Sequence, residues 1–190
     1  AGRTVAHNLG VTPELMFVKA RSTTGEWWGY SSTLGATKFM ILNNSDVAGT
    51  SSLIWNNTAP TSSVFSVGSY EQVNRASQIF IAYLFASCPG VSKVGSYTGT
   101  GTTQTINCGF SAGARFVMVK RTDSTGGWHV WDSARGIVAG NDPYFLMNSF
   151  AAQVNGTDYI DPAASGFEIS SSAPAAINAS GGSYIFLAIA

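Results

Sequence analysis

Residues 22–32 read STTGEWWGYSS, and residues 123–133 read DSTGGWHVWDS. Laid over one another, these stretches and their flanks pair Lys19 with Lys120, Thr24 with Thr125, Gly25 with Gly126, Trp27 with Trp128, Ser32 with Ser133 and Gly35 with Gly136. No gap is needed from Val18 to Gly35. The correspondence then drifts, as loops of unequal length require, and resumes where residues 74–86 match residues 178–190. A spacing of roughly one hundred residues marks a repeated domain, because solenoid turns recur every roughly 20–50 residues. The expectation is two domains, residues 1–87 and 91–190, related by internal duplication.

Each half carries short apolar runs bounded by Gly, Pro, Asn and Ser. In the first half these are residues 15–19, 26–30, 39–42, 64–67 and 79–86; in the second they are 115–120, 128–131, 144–147, 167–170 and 184–190. Runs this short, with β-branched and aromatic residues between turn formers, predict strands. Residues 15–19 predict a strand buried on both faces, and residues 64–67 alternate with period two. Nowhere does the i, i+3, i+4 spacing of an amphipathic helix persist over three turns. The fold class expected is all-β: two tandem antiparallel β-sandwich domains. Residues 1–9 read as a polar lead, 10–13 (GVTP) as a turn, 53–55 (LIW) as an edge strand, and 87–90 (SCPG) as the joint. The second half opens with an additional strand, 91–97, and a Gly- and Thr-rich hairpin loop, 98–103. The first copy therefore starts one strand late, and that strand is expected from residues upstream of Ala1 or from a neighbouring chain.

Composition narrows the function classes. Charged residues form 11% of the chain, against a typical ~25%, while hydrophobic residues reach 45%, which excludes a disordered polyelectrolyte. Net charge is zero and Lys and Arg form no cluster, so nucleic acid and anionic membrane surfaces have no electrostatic footprint to hold. The longest apolar runs, 79–86 and 184–190, fall short of the ~20 residues of a membrane helix, so no membrane insertion is expected. Cys88 and Cys108 permit one disulfide at most and read as two thiols.

Catalytic chemistry finds little to build on. The histidines, His7 and His129, lie beside no nucleophile motif, and no GxSxG occurs. Asp132, Asp142, Asp158, Asp161 and Glu168 all fall in the second half, and Ser31 and Ser66 stand opposite Asp132 and Glu168 in the first. The duplication thus keeps no acidic pair of the kind glycoside hydrolysis requires, and these carboxylates read as turn residues. Residues 158–162 (DYIDP) offer oxygens to Ca²⁺ but lack the regular ligand series, the Gly and the closing Glu of an EF-hand. No enzyme activity, cofactor or metal is expected. The aromatic residues remain. Trp27 and Trp128 share one register and are expected in the core. Trp28, Tyr30, Trp55, His129, Trp131 and Tyr144 are the candidate binding residues, suited to stacking on sugar rings or on another chain; the same rings suit a sandwich core.

The run HNLGVTPELMFVKARSTTGEWWGY, the later SYTGTGTTQTINCGFSAGARFVMVKRTDSTGGWHVWDSARG and the closing NASGGSYIFLAIA together resemble a repeated module of tailed-bacteriophage virion structural proteins, especially tail-fibre or appendage proteins of marine phages. The G-F…V-M-V-K…W…W-D-S-x-R-G run is its most specific part, and it closes on W-D-S-x-R-G. In the first copy it becomes Tyr30-Ser31-Ser32-Thr33-Leu34-Gly35, without Asp or Arg, so only Asp132 and Arg135 can serve any charge-dependent role. The resemblance implies a non-enzymatic β-rich segment on the virion exterior, a homo-oligomer with trimer the favoured state, packed against other virion proteins and facing a host-surface glycan. A purely architectural capsid decoration protein or fibre shaft is the first alternative. A polysaccharide depolymerase or a secreted lectin-like module is the second.

Overall fold

A computed structural model describes residues 2–190. The chain divides into two compact units, the first running to Asn43 and from Ala48 to Ala86, the second containing Asn44–Val47 and Ser87–Ala190. Strands dominate the regular structure of the described residues, whose α-helices are single turns.

The first unit contains β1 (Arg3–Ala6), β2 (Leu15–Ala20), β3 (Trp28–Ser31), β4 (Lys38–Ile41), β5 (Gly49–Thr50), α1 (Ser52–Trp55), β6 (Val64–Val67), α2 (Glu71–Asn74) and β7 (Phe80–Phe85). One antiparallel sheet has the order β5-β4-β3-β2-β7, and β1 pairs with β6 in a second. Val18 lies opposite both Trp28 and Ala82. Because side chains alternate across a strand, Met16, Val18, Trp28 and Tyr30 form one face, and they pack with Phe65 and Val67 of the small sheet. Leu15 and Phe17, on the opposite face of β2, are also buried, as the unbroken apolar run predicts.

The second unit contains β8 (Ser92–Thr98), β9 (Gln104–Asn107), β10 (Phe116–Arg121), β11 (Trp128–Asp132), β12 (Phe145–Leu146), β13 (Ile160–Ala163), β14 (Gly166–Ile169), α3 (Ala175–Asn178) and β15 (Ser183–Ile189). Its large antiparallel sheet is ordered β12-β11-β10-β15-β8, and its small one β13-β14-β9. Val117, Val119, Trp131, Tyr184 and Phe186 of the first meet Ile106, Ile160, Phe167 and Ile169 of the second in one core. Such side chains contribute roughly 1.5–3 kcal/mol each when fully buried. Tyr97 and Tyr184 stack at 4.8 Å, and their hydroxyls donate to the carbonyls of Ile177 and Ala175. Both units are therefore two-sheet sandwiches.

Corresponding strands occupy corresponding places: β4-β3-β2-β7 in one sheet matches β12-β11-β10-β15 in the other. Particular hydrogen bonds match as well. Asn43 Oδ1 accepts from Trp27 N at 2.9 Å and Asn148 Oδ1 from Trp128 N at 2.8 Å. Asn74 Nδ2 donates to Gly68 O and Asn178 Nδ2 to Ser170 O. The additional strand of the second unit is β8, which pairs along the whole of β15. Among the described residues the first sheet has no counterpart of β8, which leaves β7 at an edge.

Several expectations are corrected. Residues 1–9 are not merely a polar lead, since they include β1, a largely exposed strand laid along β6. Residues 53–55 lie in helix α1, started by Ser51, whose Oγ accepts from Leu53 N at 3.1 Å. Residues 98–103 are not a hairpin loop; β8 pairs with β15 and β9 with β14, so the segment crosses between sheets. Trp128 is buried but Trp27 is only partly so, its ring tilted against Tyr83 at 5.9 Å. No helix among the described residues is long and apolar enough to cross a membrane.

Candidate functional site

The six candidate binding residues divide between the two cores. Trp28, Tyr30, Trp55, His129 and Trp131 are all buried, with Trp55 and Trp131 at 0% exposure; Tyr144 is half-buried. This corrects the sugar-stacking expectation for those five. Alternation on a strand exposes one set of side chains only when one sheet face meets solvent, and on β11 Trp128 and Val130 are buried along with His129 and Trp131. Trp28 packs against Phe39 and Tyr70, each at 5.0 Å, and Tyr30 meets Trp55 edge-on at 5.9 Å. In the second unit His129, Trp131, Tyr144 and Tyr159 form a continuous aromatic row, with neighbouring rings 5.1–5.8 Å apart. Burial lowers the His129 pKa to about 4, so its ring is neutral at pH 7, and its Nδ1 lies 3.2 Å from the Gly127 carbonyl oxygen. Open rings occur elsewhere, at Tyr83 on β7 and at Phe150 (110% exposed) in the loop after β12.

Asp132 and Arg135, from the most specific part of the resemblance, build a turn. Asp132 Oδ1 accepts from the backbone N–H groups of Ala134 and Arg135, and Oδ2 pairs with Arg135 at 2.7 Å. The guanidinium also lies over the Phe145 ring at 4.4 Å. A shallow depression of about 480 Å³ beside this turn is lined by Arg115, Asp132, Arg135 and Ile189. Glu168 accepts from the Thr105 hydroxyl. Lys120, fully buried, donates to the carbonyls of Asp46 and Gly126 at 2.8 Å, and burial lowers its pKa to about 8.

At the end of the aromatic row three further acids come together. Residues 133–144 connect β11 to β12 and bring Asp142 to Asp158 and to Asp161, the second residue of β13. One oxygen from each carboxylate lies within 4.8 Å of the others. Asp142 is fully buried, the other two half-buried. The backbone holds them: Asp142 Oδ1 accepts from Val138 N at 2.8 Å, Asp161 Oδ1 from Gly140 N at 3.0 Å, and Asp142 N donates to Thr157 O at 2.7 Å. Asp142 Oδ2 and Asp158 Oδ1 are buried with no hydrogen-bond partner among the described residues. Burial first, and then the charges of Asp161 and Asp158, push the Asp142 carboxyl up to about 7. In the sequence Asp158 and Asp161 stand out as oxygen donors that lack EF-hand spacing. Asp142 gives no such signal, because a loop rather than a local motif delivers it.

Both cysteines are free, Cys88 exposed and Cys108 buried. Burial raises the Cys108 thiol to about 11, with Lys93 acting weakly in the opposite sense.

Two antiparallel sandwiches, with most of the aromatic candidates folded inward and one acidic corner in the second unit, define the class: an all-β protein of two-sheet units. The chain belongs to the family described as a domain of unknown function (DUF7483), whose profile matches residues 1–190. No curated protein and no solved structure matches it.

Proposed function

We propose that the chain is a non-enzymatic structural segment of a tailed-bacteriophage tail fibre or related exterior appendage, built from two copies of one sandwich unit and assembled by adding a strand to β7. The observation that carries this reading is the contrast between equivalent strands. β15 is covered by β8 and buried along most of its length, whereas β7 (FIAYLF) ends its sheet half-exposed, with Tyr83 open. An apolar edge strand is a template for another strand. The pairing of β8 (SKVGSYT) along β15 in the second unit supports a segment of that kind as the added strand. Low charge and the sequence resemblance support an assembly of sister chains, with a trimer expected.

Light scattering on the purified chain tests it. The expected mass is a multiple of 19.9 kDa, falling to that of one chain when Tyr83→Lys places a charge on the edge. A single-chain mass at every concentration would overturn the reading.

Attachment to a host glycan is the second reading, favoured by the bare Phe150 ring. It predicts glycan-array binding by the wild-type protein that Phe150→Ala abolishes. Silence of the array for wild type removes this reading and leaves the architectural one.

A further inference from the structure

We propose that Asp142, Asp158 and Asp161 form a calcium site that fastens the loop of residues 133–144 to the beginning of β13.

Electrostatics raises the question. Two buried carboxylate oxygens, Asp142 Oδ2 and Asp158 Oδ1, have no donor among the described residues, and buried charges persist in proteins when they are paired or coordinate a metal. The charges acting on Asp142 are those of two more carboxylates, which repel it, while the backbone N–H groups of Val138 and Ile160 favour its charged form. Meanwhile Val138 N and Gly140 N each hold the other oxygen of Asp142 and Asp161. The remaining oxygens of Asp142 and Asp161 are thus positioned before any ion arrives, which lowers the cost of binding.

Donor chemistry selects the ion. All three side chains present hard, anionic oxygen and the cluster contains no imidazole or thiolate, which disfavours zinc and copper. Mg²⁺ releases its water reluctantly and keeps several molecules in its shell, a poor match for the fully buried Asp142. Ca²⁺ accepts a flexible shell of about 6–8 oxygens at about 2.3–2.6 Å, and carboxylate oxygens within 4.8 Å of one another can all touch such an ion. Asp158 and Asp161, being half-buried, leave room for water to complete the shell.

The test uses the full chain, stripped with EGTA and titrated with CaCl₂ by calorimetry, with melting curves recorded in chelator and in CaCl₂. A saturable one-to-one heat is expected, together with a rise in Tm of several degrees, as for any ligand that binds only the folded state. Asp158→Asn is the cleanest variant, because Asp158 Oδ1 has no hydrogen bond to lose. It should melt within about 2 °C of wild type in chelator, since no structural contact is removed, and bind calcium at least tenfold more weakly. Asp142→Asn should lose the calcium response while melting higher than wild type in chelator. A wild-type chain giving neither heat nor Tm shift with CaCl₂ would overturn the proposal. So would undiminished calcium affinity in Asp158→Asn, or an equal Tm shift with MgCl₂ alone.

Discussion

The two sandwich units close the same corner in opposite ways. In the first, the backbone after β6 passes over α1, where Gly68 N donates to Ile54 O; in the second, Ser170 N donates to Tyr159 O at the matching place. The first corner is filled by Ile54 and Trp55, both buried, and position 68 must be glycine because a Cβ there would collide with the Leu53 carbonyl. The second corner has no counterpart of α1 among the described residues, carries a side chain at Ser170, and gathers Asp142, Asp158 and Asp161. The connection from β3 to β4 spans residues 32–37, whereas that from β11 to β12 spans 133–144, and the longer loop is what carries Asp142 inward. The Ile54 and Trp55 plug stabilises its corner by burial of apolar surface. A carboxylate cluster depends on what is dissolved around it, which puts the environmentally responsive part of the chain in the second unit.

The largest effect expected on this contrast comes from the plug. Trp55→Ala should destabilise the protein by about 3–5 kcal/mol, the usual cost of emptying a large buried aromatic site, measured by urea unfolding, while the calcium response persists. Loss of that response would mean that the corners are coupled rather than independent.

Next comes acid. The His129 imidazole protonates near pH 4 in the folded protein and near 6.5 when unfolded. The unfolded chain therefore holds the extra proton across that window, and stability falls as pH drops through it, by up to about 3 kcal/mol. The aligned residue of the first unit, Trp28, does not titrate. His129→Phe should flatten the curve between pH 6.5 and 4, and the difference between the two denaturation profiles isolates the imidazole.

Asp142→Asn in chelator, above the pH of about 7 at which this carboxyl ionises, should raise stability by about 1–2 kcal/mol, because it removes a buried charge and keeps an oxygen for Val138 N. An equal or larger loss of stability would show that the corner is held by the carboxylate itself. The smallest effect concerns the turn after β11. Asp132→Ser, which installs the first unit's Ser31, should cost about 0.5–1 kcal/mol by removing a side-chain cap on two backbone N–H groups. Thermal melts of the two chains measure it.

Strands that enter the sheets as unbroken apolar runs are legible from sequence: β2, β7, β10 and β15 all lie where the runs of residues 15–19, 79–86, 115–120 and 184–190 indicate. Polar edge strands are less so. β1 (RTVA), β9 (QTIN) and β13 (IDPA) carry polar residues or proline, because an edge position relaxes the demand for burial on both faces. Residues 53–55 mislead because an apolar run of this length suits either a strand or one helical turn, and the Ser51 cap decides for the helix. The aromatic alternation reports strand periodicity correctly but suggests an open face that β3 and β11 do not have. Asp142 is hidden for a different reason: its partners lie beyond an intervening strand, and only the long loop brings them together.

The state of the two thiols has a practical consequence. Nucleophilic attack requires the thiolate, and Cys108 is both enclosed and held protonated to about pH 11. A maleimide dye at neutral pH therefore marks Cys88 alone, in the connection between β7 and β8. Each chain comes with a single built-in labelling handle, so fluorescence can count subunits in an assembly without any engineered cysteine.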